Sequence, residues 1–209
     1  MDIELFHTPN TRSSRPRWLL EELELPYRIR SVDLFGGERN PVHPLGSVPA
    51  VRIDGETLIE SGAICHWLAD RFPDRGLSPA MNDPRRARYE QWMFFAPATL
   101  EPPAFDILLH TMILPEKHRV ETIVPFATRE YRRILRMLAE ELDHDGYLLG
   151  DRFSCADIMT GTTLGWLPEL LKDYPPLLAY TERVTARPAC RRAMAPVDDD
   201  ARDENRQAG

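Results

Sequence analysis

Apolar positions change their spacing near residue 75. Before it, short apolar runs predict strands at IELF (3–6), Tyr27–Val32, PAVRI (49–53) and TLIE (57–60). Between the first two lies RSSRPRWLLEELEL, with Trp18, Leu19, Leu20 and Leu23 near helical spacing. Pro16 would break a helix interior but fits a first turn, whose N–H groups have no intrahelical partner, so the helix is expected to begin between Arg12 and Ser14. FGGERNPVHPLG, rich in glycine and proline, predicts irregular chain or one helical turn. Asp54-Gly55 is a two-residue hairpin signal. SGAICHWLADRF predicts a helix that stops at Pro73. The order β-α-β then β-β-α is too little chain for a doubly wound sheet and fits a small four-stranded mixed sheet.

After PDRGLSPAMNDP, which has the composition of a linker, strand signals vanish. Helices are expected at about 84–113, about 117–143, 154–172 and 175–195, the first broken or kinked by Pro97, Pro102 and Pro103. The charges of EKHRVETIVPFATREYRRILRMLAEEL fall on one side, which predicts a solvated or interface helix. The expected organisation is therefore an α/β domain at 1–75, a linker at 76–83, an all-helical domain at 84–196 and a polar, disordered tail at 197–209.

Composition narrows the function classes. A net charge of −7 argues against a nucleic-acid partner, while leaving room for anionic small ligands at a local basic group. No apolar run is long enough to span a membrane, and the opening IELFHT has neither the basic stretch nor the apolar core of a leader. The three cysteines, Cys65, Cys155 and Cys190, are far apart and form no CxxC or zinc spacing. The expectation is a cytoplasmic protein with reduced thiols and no metal.

Three stretches carry candidate chemistry. Pro49 at a strand start is either merely tolerated or the second half of a cis Val48-Pro49 bond that leaves the Val48 backbone open to an added extended peptide. Glu60-Ser61 opens a helix; serine there is an ordinary cap, but free N–H groups, a hydroxyl and an acid also suit the carboxylate and ammonium of an amino-acid end. In HTPNTRSSRPRW, Asn10, Thr11, Ser13 and Ser14 are all cap residues, more than one cap requires. Such donors at a helix start stabilise a thiolate, whose parent thiol otherwise has a pKa near ~8.5.

Together TPNTRSSRPRWLLEELELPY, HPLGSVPAVRIDGETLIESGAICHWL and YLLGDRFSCADI resemble the cytosolic glutathione transferases, over essentially the whole chain except its tail. The resemblance implies a thioredoxin-like N-terminal domain, an all-helical C-terminal domain and a homodimer. It implies that Val48, before a cis Pro49, pairs with the cysteinyl backbone of glutathione, and that Glu60 and Ser61 bind the γ-glutamyl end. Ser154 and Asp157 match the family's buried capping motif, whose role is folding. No tyrosine precedes Tyr27, so the chain resembles the serine, threonine or asparagine classes, with Thr11, Ser13 or Asn10 as the group on the thiol. No cysteine occupies that stretch, against a mixed disulfide through a protein thiol. Ser47 stands where many relatives carry lysine or glutamine, which leaves Arg39, Arg12 and His43 as basic candidates for the glycine carboxylate.

The implied function is activation of the glutathione thiol for attack on a small apolar electrophile or a peroxide, with glutathione as co-substrate and without nucleic acid or membrane. A glutathione-dependent disulfide-bond reductase or peroxidase is the alternative, and a non-catalytic binding module of the same fold a third. The acceptor pocket is expected between the domains, near Tyr89, Trp92, Phe95, Phe105 and His110; for these aromatics core packing is the plainer reading, and His110 reads as a surface or core histidine rather than a base.

Overall fold

The computed structural model describes residues 1–142 and 145–197. The expected tail, apart from Val197, lies outside the described residues. The chain divides into two compact units, Met1–Gly76 with the segment from Ala186 onward, and Leu77–Thr185.

The first unit holds the four-stranded mixed sheet: β1 (Ile3–His7), β2 (Arg28–Ser31), β3 (Ala50–Ile53) and β4 (Glu56–Ile59), in the order β2-β1-β3-β4. β1 pairs parallel with β2 and antiparallel with β3, and β3 pairs antiparallel with β4. Helix α1 (Ser14–Leu23) makes the β1–β2 crossover and α2 (Ser61–Arg71) follows β4, which is the arrangement of a thioredoxin-like domain. Asp54 and Gly55 both adopt positive φ, as a tight hairpin turn requires. β1 is buried at every position except Glu4, and α1 buries all of Ser14–Leu20 and Leu23.

Burial on so many sides of α1 follows from a neighbour that the sequence pattern had grouped elsewhere. The last helix, α9 (Pro188–Met194), belongs to this unit rather than with residues 84–185. Arg187 clasps the Glu22 carboxylate of α1 at 2.6 and 2.7 Å, and Arg192 reaches Glu21 at 2.6 Å. Arg17 of α1 donates to the carbonyls of Ala195 and Arg192 at 2.8 and 3.3 Å, satisfying groups that a helix end leaves open.

The second unit is helical: α3 (Arg86–Phe95), α4 (Glu101–Leu108), α5 (Ile123–Glu141), α6 (Cys155–Leu164), α7 (Pro168–Leu171) and α8 (Pro175–Thr185). The expected helix over 84–113 does not break at its prolines. Ala96–Leu100 and Leu109–Ile113 wind instead as π turns, closed by N–H bonds from Glu101 to Ala96 and from Leu114 to Leu109. The first of these wider turns takes up Pro97 and precedes Pro102 and Pro103, which have no N–H to give and whose rings would crowd a carbonyl of the preceding α turn. The expected helices over 154–172 and 175–195 do divide, with α7 and α9 opening at Pro168 and Pro188. α5 buries Ala127, Tyr131, Ile134, Leu135 and Leu138 on one stripe and solvates the rest. α6 is buried along its whole length and begins at a capping box between Ser154 and Asp157. Among the described residues no helix is long and apolar enough to cross a membrane.

Candidate functional site

Strand register gathers the predicted groups. Phe6 of β1 stands opposite Ala50 of β3, and Ala50 opposite Ile59 of β4. One row further along the sheet come His7 and Thr8, Pro49 and Val48, and Glu60 and Ser61, all at the same end. An apolar cluster of Phe6, Val32, Val48 and Ala50, with Leu34, Val42 and Ile59 against it, supports that end from below.

The loop from β1 to α1 is tied by hydroxyl groups. Thr8 Oγ1 donates to the Val32 carbonyl at 2.6 Å, fastening the loop to the end of β2. Ser13 is fully buried, and its Oγ lies 3.1 Å from the Thr8 N–H that donates to it, 3.0 Å from the Thr8 carbonyl and 2.7 Å from His7 Nδ1. Thr11 is half-buried; its Oγ1 lies 2.7 Å from the Thr8 carbonyl and 2.8 Å from Ser13 Oγ, and accepts the Ser13 N–H at 3.3 Å. Asn10 is exposed and holds a left-handed φ of 59°. Ordinary capping does not explain this set: Ser13, at the N-cap, makes no side-chain cap hydrogen bond to α1, and the hydroxyls brace the loop instead.

At the start of α2, Glu60 is exposed with φ 68° and ψ 110°, a conformation that costs a non-glycine residue about 1–3 kcal/mol. Such strain is characteristic of sites whose surroundings over-determine the backbone. The Glu60 carbonyl accepts from Ile64 N at 2.9 Å, but the Glu60 side chain makes no cap hydrogen bond to the first N–H groups of α2. Ser61 is buried, and its Oγ accepts from Arg15 Nη1 at 3.1 Å. Arg15 is wholly buried on α1, so a permanent positive charge stands beside the positive end of α2.

The Val48–Pro49 peptide bond is cis, the conformation the sharper sequence reading expected. The Val48 side chain is buried, and no hydrogen bond to its backbone N–H or C=O occurs among the described residues. The preceding loop is held by Asn40, itself buried, which donates from Nδ2 to the Ser47 carbonyl at 2.8 Å and accepts the Val42 N–H at 3.1 Å. Arg39 is exposed and donates to the Leu45 carbonyl at 3.0 Å. Its guanidinium covers Gly46, where φ is 68° and a Cβ would come within 2.7 Å of Arg39 Nε, so the turn requires glycine. His43 Nδ1 accepts the Leu45 N–H at 3.1 Å. Arg12 is half-buried at the entry to α1.

His7 lies behind the loop, with Nδ1 on Ser13 and Nε2 at 3.5 Å from Arg17 Nη1. Burial foremost, and then the Arg17 charge, lower its pKa from 6.5 to about 4, against the opposing pull of the hydrogen bond to Ser13. Above pH 6.5 both folded and unfolded chains carry a neutral ring. As pH falls from 6.5 towards 4 the unfolded chain takes up a proton that the folded chain refuses, so stability is lost across that window. The full loss is about 3 kcal/mol, and below the folded pKa the slope ends. Unfolding free energies from urea titration of the unmodified chain and of His7→Phe, compared at about pH 7.5 and about pH 4, are expected to diverge by that amount. Parallel curves would show that His7 titrates normally.

Of the aromatics expected at the acceptor pocket, Tyr89 and Trp92 are fully buried in α3, as the core reading expected, and Phe95 packs edge-on against Trp92 at 5.0 Å. Phe105 is half-buried in α4, and His110 Nδ1 accepts the Val120 N–H at 3.1 Å. Sequence reasoning did not single out His7, Arg15, Arg17 or Asn40. Only Asn40 had a local signal, an Asx residue in a stretch rich in glycine and proline.

The comparisons agree with this geometry. The family model described as "Glutathione S-transferase, N-terminal domain" matches residues 11–71, and "Glutathione S-transferase, C-terminal domain" matches residues 83–194. The chain is 30% identical to Glutathione S-transferase 3 of Schizosaccharomyces pombe, over 94% of this chain and 88% of that protein. It is 29% identical to the disulfide-bond oxidoreductase YfcG of Escherichia coli, over 92% and 94%. A sphingomonad glutathione S-transferase solved in complex with glutathione superposes with a TM-score of 0.81 at 29% identity, covering 91% of this chain and 96% of that one. With both domain models matched along most of its length, the chain belongs to the glutathione S-transferase family.

Proposed function

We propose that this protein is a glutathione transferase that lowers the thiol pKa of bound glutathione and directs the thiolate at a small apolar electrophile or a peroxide. The observation that carries the reading is the convergence, at one sheet end, of the open Val48 backbone, the uncapped start of α2 at Glu60-Ser61 and the Thr11 hydroxyl. Extended glutathione pairs its cysteinyl backbone with Val48 as an added strand. Its γ-glutamyl carboxylate lies at the N–H groups and hydroxyl of Ser61, with the Arg15 charge behind, and its ammonium meets Glu60. Arg39 is the basic group assigned to the glycine carboxylate, and Ser47 sits in the wall beneath it. Thr11, the half-buried hydroxyl of the loop, donates to the thiolate; Ser13 faces inward and Asn10 outward. The thiolate lone pair forms the new bond to the electrophile, whose leaving group departs with the bonding electrons. The reading includes a cytoplasmic homodimer and no metal.

A second reading, glutathione-dependent reduction of disulfides, is favoured by one observation: the three cysteines, Cys65, Cys155 and Cys190, are all buried, which leaves bound glutathione as the reacting thiol. The relationship to YfcG supports the same chemistry. The deciding experiment is a calorimetric titration with glutathione, with the pKa of the bound thiol read from thiolate absorbance. The expected result is binding with a pKa well below the free value of about 8.5. Binding with an unshifted thiol points to a carrier, and absence of binding overturns both enzymatic readings. Rates on an aryl halide and on a small disulfide then separate the two enzymes.

A further inference from the structure

Behind the loop runs a chain of polar groups that the proposed reaction has not yet used: Arg17, His7, Ser13 and Thr11, at successive separations of 3.5, 2.7 and 2.8 Å. We infer that His7 is a positioning residue, and that its ring, oriented by Arg17, turns the Thr11 hydroxyl proton away from Ser13 and so leaves it available as a donor. The inference rests on the glutathione reading above only for the identity of what Thr11 donates to.

The direction of each bond follows from counting donors and acceptors. A guanidinium donates and never accepts, so the ring nitrogen facing Arg17, Nε2, presents its lone pair. A neutral ring with a bare Nε2 carries its proton on Nδ1. The ring is neutral at ordinary pH, since burial and the Arg17 charge hold its pKa down at about 4. Nδ1–H therefore donates to Ser13 Oγ, which also receives the Thr8 N–H. Both lone pairs of that oxygen are then occupied. Ser13 has one proton left, for Thr11 Oγ1 or for the Thr8 carbonyl. In either arrangement Thr11 cannot donate to Ser13. Its proton must point away from Ser13, to the Thr8 carbonyl at 2.7 Å or to a stronger acceptor arriving there.

The opposite tautomer reverses the outcome. A bare Nδ1 would draw the Ser13 proton, free a lone pair on Ser13 Oγ and let the Thr11 proton turn inward. Thr11 would then meet an incoming thiolate with oxygen lone pairs. The preference for a Thr11 proton pointing away from Ser13 is thus set two hydrogen bonds away from the hydroxyl that uses it. The anchor is tertiary: Arg17 is held by the carbonyls of Ala195 and Arg192 at the end of α9, so the docked last helix fixes the charge that orients His7. A one-way chain of this kind also strengthens its terminal donor by polarisation.

The test has two arms. Ring nitrogen-15 shifts of His7 in the unmodified chain report the tautomer directly, without ligand. The expected result is a protonated Nδ1 and a bare Nε2; the reverse assignment overturns the inference whether or not glutathione binds. The second arm measures the pKa of glutathione bound to the unmodified chain, to His7→Phe and to His7→Asn, whose amide can place an N–H near the Nδ1 position. His7→Phe is expected to raise the bound-thiol pKa by about one unit, with the Kd for S-methylglutathione changed less than about twofold, and His7→Asn to restore part of the shift. A bound-thiol pKa that His7→Phe leaves unmoved also overturns the inference. If the unmodified chain itself fails to bind glutathione, the glutathione reading fails, and the tautomer measurement still decides the role of His7. Should His7→Phe not fold, the unmodified chain carries the decision through the same measurement.

Discussion

Asp157→Ala is expected to remove about 3–5 kcal/mol of folding stability, the largest stability effect at any single position considered. Asp157 is fully buried at the start of α6, and four donors converge on it. Oδ1 accepts the Leu148 N–H and the Tyr180 hydroxyl, each at 2.9 Å. Oδ2 accepts the Ser154 N–H at 2.8 Å and the Ser154 hydroxyl at 3.0 Å. Burial pushes the carboxyl pKa up, but every partner is a donor and favours the carboxylate. Alanine leaves the Leu148 and Ser154 N–H groups and the Tyr180 hydroxyl without an acceptor, at about 1–3 kcal/mol each before relaxation. Asparagine is not a rescue. Each carboxylate oxygen faces a backbone N–H, so either orientation of the amide sets N–H against N–H. Urea unfolding should therefore place Asp157→Asn within about 1 kcal/mol of Asp157→Ala, and Tyr180→Phe only about 1 kcal/mol below the unmodified chain. An asparagine variant as stable as the original would show that the carboxylate does not hold this junction.

What could be read in advance divides by sequence distance. The Glu60-Ser61 pair, Pro49 and the Asp54-Gly55 turn declare themselves within a few residues, because local backbone geometry demands those residue types. The sheet followed from the same short-range signals. Arg15 and His7 did not. Arg15 acts through Ser61, 46 positions away, and in sequence SSRPRW looks like the polar entry to a surface helix. His7 ends an ordinary strand, and its meaning depends on Arg17, which depends in turn on the carbonyl of Ala195, 178 positions on. Helical periodicity could not reveal this, since α1 is buried on faces that a helix in contact with a sheet alone would expose. The π turns were hidden for a related reason. Prolines announce that regular α bonding fails, but not whether the chain stops or widens its winding. Thr11 led Ser13 and Asn10 as the candidate donor to the thiol only through the family resemblance; the structure adds their burial, with Ser13 inside, Asn10 outside and Thr11 at the boundary.

Thr11→Val is expected to lower kcat/KM for glutathione conjugation by about 10²-fold, the largest effect on activity of any single substitution in the loop. Valine keeps the β-branched shape and removes only the hydroxyl, so backbone and packing persist. The Thr11 hydroxyl is proposed to act on the thiolate more than on the thiol, so its loss falls on turnover and on thiol ionisation. The KM for glutathione should change by less than about threefold, because in the proposed binding mode Val48, Glu60 and Ser61 hold the rest of the tripeptide. Ser13→Ala behaves differently. It orphans the buried Thr8 N–H and releases His7 Nδ1, so it should lower folding stability by about 1–3 kcal/mol along with activity. Thr11→Val should leave stability within about 1 kcal/mol, since its carbonyl partner at Thr8 retains Ser13 Oγ within 3.0 Å and the one donor it strands, the Ser13 N–H, made only a long bond of 3.3 Å at a half-buried position. Rate and stability measured on both variants therefore separate the hydroxyl that meets the substrate from the hydroxyl that braces the loop. Full activity in Thr11→Val, with loss in Ser13→Ala, would reassign the donor to Ser13 and require the loop to open before glutathione binds, because the buried Ser13 Oγ can reach no ligand while its present hydrogen bonds stand.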